Sequence, residues 1–141
     1  MSGKQTNASI ATFVHMGSYA DKVRGILSRH ERIHPEDSYG LDRYWKDLSD
    51  ALLEDVNAYI SFLINDCTDT ELILLSEVDD ELIIATQSEH LVHALKTAQE
   101  RFPDATREYR LDANLAHTIS SCINDKDKAR KLLAWKPVKT D

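Results

Sequence analysis

Cysteine, proline, glycine and long apolar runs are all scarce in this chain, and each scarcity removes a class of protein. Two cysteines, Cys67 and Cys122, cannot build a disulfide scaffold; each sits beside or within a helical pattern and reads as a reduced structural thiol. Three prolines and four glycines among 141 residues leave little material for linkers, so one domain with one sizeable core is expected. No apolar stretch approaches the roughly 18 residues that a membrane span needs, and no membrane association is expected. The opening MSGKQTNASIATFVHMGS carries one lysine and an apolar stretch broken by polar residues, which does not suit a secretory signal, so a cytoplasmic location is expected. Residues 1–16 lack a strong pattern and read as a flexible N-terminus, with Met16 an alternative start; 17–141 read as a single helical domain. Sustained alternation of period two is also missing, which argues against a sheet.

What is present has the period of helices. Thr68 and Glu71 have the spacing of a capping box, in which hydroxyl and carboxylate each accept from an otherwise unpaired helix N–H. Leu72, Leu75, Val78 and Leu82 then make one apolar face, and the polar triplet Thr86, Gln87, Ser88 supplies a break. Ser88 caps a second helix with Leu91, Leu95, Ala98 and Phe102 on its inner face, and Pro103 stops it. So short a turn predicts an antiparallel pair with an apolar edge left for a neighbour. Upstream, 42–65 places Tyr44, Leu48, Leu52, Val56, Tyr59 and Leu63 on one face; before it, 19–34 carries Val23, Ile26, Leu27 and Ile33. Downstream, Asp112 can cap a helix bearing Leu115, Ile119 and Ile123, and 127–135 offers Ala129, Leu132, Leu133 and Trp135. The expected fold is all-α, with antiparallel helical hairpins stacked as a short HEAT-like repeat bundle. With no edge strand to offer, the chain is expected to be a monomer.

The sharpest catalytic candidate is His30-Glu31-Arg32-Ile33-His34, which fits the H-E-x-x-H pattern of zinc-dependent hydrolases. Two histidines one helical turn apart hold the metal there, and the glutamate deprotonates a bound water. Against this reading, Pro35 disfavours helical geometry at His34, the flanks are charged where a metal site needs apolar support, and no third ligand is evident. A solvated helix end is the better account. His90 and His93 stand three apart but lack a completing ligand, and His117 carries no identifiable chemistry. Neither a glycine-rich phosphate loop nor a Gly-x-Ser-x-Gly elbow occurs. The chain is therefore expected to have no catalytic residues, no metal and no cofactor.

Charge is more informative. Acidic residues number 24 against 17 basic ones, and because the stretch from Lys126 to Lys139 is basic, the middle of the chain is more acidic than the total suggests. Asp47, Asp50 and Glu54 form a stripe opposite the apolar face of their helix, and Glu77, Asp80 and Glu81 form another next to it. Like charges so placed cost a few tenths of a kcal/mol per pair, roughly, unless water or a cationic partner compensates them. Direct nucleic-acid binding is disfavoured, because phosphates need clusters of lysine and arginine.

The segment RYWKDLSDALLEDVNAYISFLINDCTDTELILLSEVDDELIIATQSEHLVHALKTAQERFP resembles the small helical-repeat immunity proteins of bacterial polymorphic and contact-dependent growth-inhibition toxin systems. The likeness spans about Asp42 to Ile123. It is carried by the exit from the helix at Phe62 to Thr70, the block Leu75-Ser76-Glu77-Val78, the triplet Thr86-Gln87-Ser88, and Phe102-Pro103. Asp79 departs from it, lying on an arc where an apolar residue belongs. The resemblance implies stoichiometric inhibition: the protein docks on a cognate toxin, in a nuclease over a basic cleft, and blocks it. An acidic helical face suits that task, with Tyr39, Tyr44 and Trp45 as aromatic anchor candidates; Tyr44 could equally be core. The alternative is a generic helical adaptor for another protein, which would share every one of these features.

Overall fold

The computed structural model describes residues 18–138, and among them every regular element is helical. The flexible stretch expected for 1–16, with the alternative start at Met16, lies outside the described residues. Ser18 accepts from the Asp21 N–H and opens α1, Tyr19–Leu27, which tightens into a 3₁₀ turn at Ser28–Arg32. The helix expected from 42 starts earlier, as α2, Ser38–Glu54. Asp37 caps it by accepting from the Gly40 N–H at 2.8 Å, and a Cβ at Gly40 would collide with that carboxylate.

Two long helices expected from periodicity are each divided. Asp55 leaves helical geometry (φ −148°, ψ 84°) and its side chain accepts from the Ala58 N–H at 3.0 Å, so α2 ends and α3, Val56–Asn65, begins anew. The run after Thr68 splits into α4, Asp69–Leu75, a 3₁₀ turn at Ser76–Val78, and α5, Asp79–Thr86. Ser76 donates to the Ile73 carbonyl at 2.6 Å, drawing off a backbone acceptor as the helix tightens. Elsewhere the capping signals hold. The Thr68–Glu71 box is formed in both directions, Gln87 ends α5 in the left-handed region (φ 51°), and Ser88 accepts from the Leu91 N–H to start α6, Glu89–Arg101. Pro103 ends one helix and occupies the first turn of the next, α7, Pro103–Tyr109. The cap of α8, Leu111–Cys122, is Arg110 (φ 55°), not the expected Asp112, which falls in the first turn; Asp125 caps α9, Lys126–Ala134.

Neighbours pack at the two ends of the chain, α1 on α2 and α8 on α9, and an offset of three recurs between them. Helix α2 touches α5, α3 touches α6, α4 touches α7, α5 touches α8 and α6 touches α9. The most extensive of these pairings is α3 with α6, where Tyr59, Phe62, Leu63, Leu91, Leu95 and Ala98 are all buried. Burying each large apolar side chain is worth about 1.5–3 kcal/mol, so this pair anchors the core. Arg101 near the end of α6 donates to the Leu63 carbonyl at 2.7 Å and the Cys67 carbonyl at 3.2 Å, which sets α3 and α6 side by side in the same sense. Gln87 and Cys122 likewise join the ends of α5 and α8, at 2.8 Å. The main contacts of α5 and α6 are therefore with helices three places away, where a sequential hairpin would have paired them with each other.

Asp79 occupies the apolar arc and is buried at 8% exposure. Burial, reinforced by the neighbouring charge of Asp80, raises its carboxyl well above the usual range. The hydroxyls of Tyr19, Tyr44 and Tyr59 are also buried, without a hydrogen-bond partner among the described residues. Among the described residues no helix is long and apolar enough to cross a membrane, and Cys67 and Cys122 are free thiols.

Candidate functional site

One stripe of α2, with residues three and four apart, carries Asp42, Trp45, Ser49 and Leu53. Together with Lys46, Asp50 and Glu81 from α5, it lines an open groove of about 430 Å³. Three of the residues expected to meet a partner, Trp45, Asp50 and Glu81, therefore converge here. The Trp45 indole N–H donates to Glu77 at 2.9 Å, which fixes the ring over the groove wall and ties α2 to the 3₁₀ turn before α5. Lys46 pairs with Asp50 at 2.7 Å across an exposed helical turn. Asp42 and Glu81 have no ion-pair partner among the described residues.

The remaining expected residues are placed differently. Asp47 pairs with Arg29 at 3.0 Å and Glu54 pairs with Lys22, so two members of the α2 stripe are engaged by cations from α1 and its 3₁₀ extension. Asp80 accepts from the Thr118 hydroxyl at 2.6 Å and faces α8, away from the groove. Tyr39 is 72% exposed at the start of α2, where Arg43 donates to its hydroxyl at 2.8 Å. Tyr44 is core: it is fully buried, and burial followed by the Glu77 charge pushes its hydroxyl up to about 12. The acidic surface is thus a groove with two unpaired carboxylates and a flank of exposed ion pairs, not two continuous stripes. Ser49 and Asp42 were not singled out by sequence reasoning. The signal was the helical spacing of Asp42, Trp45, Ser49 and Leu53, which shows as a stripe only once the apolar face of α2 is set aside.

The histidine motif does not share one α-helical face. His30 lies on the 3₁₀ turn, 5.6 Å from the Tyr44 ring and with Nε2 3.7 Å from Glu77, while His34 falls beyond it and accepts the Glu36 N–H at Nδ1. Among the described residues no three His, Cys, Asp or Glu side chains form a cluster suited to a metal. His93 instead stacks on Trp135, with ring centroids 3.9 Å apart and planes at 14°, and burial lowers its pKa.

A second groove, about 770 Å³, lies at the other end of the chain between α6, α7, α8 and the segment after α9. Lys96, Arg107, Arg110 and Lys136 outnumber Glu100 and Asp112 in its lining, beside Leu115 and Trp135, so its net local charge is opposite to that of the α2–α5 groove. Compared with protein-family models, curated proteins and solved structures, this chain matches none.

Proposed function

We propose that this protein is a stoichiometric binding protein, an immunity protein that neutralises a cognate bacterial toxin by docking its α2–α5 groove on a basic surface of the toxin. The observation that carries the reading is the convergence of Asp42, Asp50 and Glu81 with the indole of Trp45 in one concave site. Tryptophan is a common anchor of binding hot spots, and carboxylates around it speed encounter with a cationic partner. Binding without turnover is the mode, with no metal and no cofactor, in the cytoplasm, by a monomer. The helices are read as a short repeat stack of the HEAT type. What supports a stack is the common direction of α3 with α6 and of α5 with α8, while the offset of three in their contacts gives it a period of three helices where HEAT hairpins have two.

The test is coexpression with the toxin encoded beside this gene. Protection is expected, and Asp50→Lys with Glu81→Lys should abolish most of it while circular dichroism stays helical. The association rate of the wild-type complex should fall as salt shortens screening to about 8 Å and below. Protection untouched by the paired reversal would defeat the acidic-groove mechanism. If no toxin gene adjoins this one and no coexpressed toxin is neutralised, the protein is a helical adaptor for another partner.

A further inference from the structure

Ser49 sits on the α2 stripe that lines the groove, is 6% exposed, and its hydroxyl oxygen, itself buried, has no hydrogen-bond partner among the described residues. A buried hydroxyl left unpaired costs about 1–3 kcal/mol, a cost that a donor entering the adjoining acidic groove would relieve. The walls define such a ligand further. Asp42 and Asp50 approach from α2 and Glu81 from α5, while Trp45 and Leu53 offer apolar surface between them. The groove suits one long side chain with an apolar stem and a cationic, multiply donating head.

We infer that the α2–α5 groove is a receptor for a single arginine side chain projecting from the partner. The inference rests on the partner-binding reading above and names what that partner inserts. Arginine fits better than lysine for three physical reasons. Its planar guanidinium presents five donors in a fork, matching carboxylates that come from two different helices. It stacks on an indole face, and the Trp45 ring is already held in place by its 2.9 Å bond to Glu77. It is also more weakly hydrated than an ammonium, so entering a half-enclosed site costs it less. The one cation in the lining, Lys46, is engaged with Asp50 in an exposed pair, which incoming guanidinium can displace at little cost.

The experiment is a nuclear magnetic resonance titration of the whole protein with a capped glycine pentapeptide carrying one central arginine, reading the Trp45 indole N–H. A saturable shift is expected, about tenfold weaker with lysine in place of arginine and absent with uncharged citrulline. Ser49→Leu, which fills the floor, should abolish it, and Glu81→Gln should weaken it about tenfold, the loss that follows removal of one charge-assisted hydrogen bond. Asp104→Asn on α7 should change nothing. Equal response to arginine and lysine overturns the inference, as does full binding in folded Ser49→Leu; should that variant unfold, unchanged affinity in Glu81→Gln overturns it instead. The titration needs no toxin. Arginine-selective binding with no toxin protection sinks the immunity reading alone, whereas protection that needs Asp50 and Glu81 without arginine selectivity sinks the arginine receptor alone.

Discussion

Asp79 shows how one residue can set the response of the whole fold to pH. Its carboxyl is raised in the folded state by burial and then by Asp80, and returns to about 3.9 when the chain unfolds. The folded state therefore holds the proton more tightly. Stability linked to this group is fully present below the unfolded pKa and is lost as pH rises through the raised folded value. Glu71 acts in the opposite sense. Burial alone would raise its carboxyl, but bonds from Arg24 at 2.7 Å and from the Thr68 N–H outweigh that and hold it low, so its contribution is lost as pH falls. The informative quantity is thus the difference between wild type and Asp79→Asn. The variant should melt higher at neutral and alkaline pH, by on the order of 5 °C, with the gain vanishing in acid. Thermal melts across pH check this; a variant less stable than wild type at pH 8 would contradict it. Asp79 was legible as an anomaly in the apolar arc, but its depth was not, because burial depends on α2 and α8 closing around α5.

At the scale of elements, the junctions decide the architecture, and two of them share a backbone conformation with opposite consequences. Gln87 and Arg110 are the non-glycine residues with positive φ among those described. Gln87 uses its strained position: its amide donates to the Ile83, Ile84 and Cys122 carbonyls, and its side-chain oxygen accepts from the Asn124 N–H at 2.8 Å. Arg110 is exposed, and no hydrogen bond is made by its side chain among the described residues. Arg110→Gly should therefore stabilise the fold, by a few tenths to about 1 kcal/mol, since glycine enters this region freely. Gln87→Gly should destabilise it by about 1–3 kcal/mol despite the same relief, because the side-chain bonds from α5 to the end of α8 and to Asn124 after it are lost. Urea unfolding of both variants separates the two; equal changes would remove the structural role given to Gln87. Caps with a short local signature, Thr68 with Glu71 and Ser88, were readable in sequence. The breaks at Asp55 and at Ser76–Val78 were not, since apolar periodicity runs straight through both and only the turn geometry interrupts it.

For the whole molecule, helical class and most core residues follow from period 3.6, whereas the offset of three does not. Direct antiparallel pairing of neighbours is the economical guess after a short turn, yet Arg101 and Gln87 bridge segments more than thirty residues apart and set another order. The same distance in sequence hid the state of the acidic face. Asp47 and Glu54 read as free charges because Arg29 and Lys22 lie on a different element. Charge is nonetheless separated along the chain, with the carboxylate groove near α2 and α5 and the cationic groove toward the C-terminal end.

The Lys96 ammonium donates to the carbonyls of Leu132 at 2.6 Å, Leu133 at 3.2 Å and Trp135 at 2.8 Å, closing the end of α9 onto α6. Lys128 also ties α9 to the Gln87 carbonyl and the helix packs on α8, so the Lys96 clasp is one of the holds whose loss would favour local opening of this helix. Lys96→Met keeps the length of the stem and removes the donors, so amide hydrogens of Lys126–Ala134 should exchange faster by about tenfold or more, while those of α3 and α6 keep the protection of global unfolding. Uniform acceleration across all helices would show that α9 opens only with the rest. Loss of the clasp on its own would make the cationic groove transient, since Leu133 and Trp135 form one of its walls, and the molecule would spend part of its time with the net-acidic α2–α5 groove as its one formed concave surface of that size among the described residues.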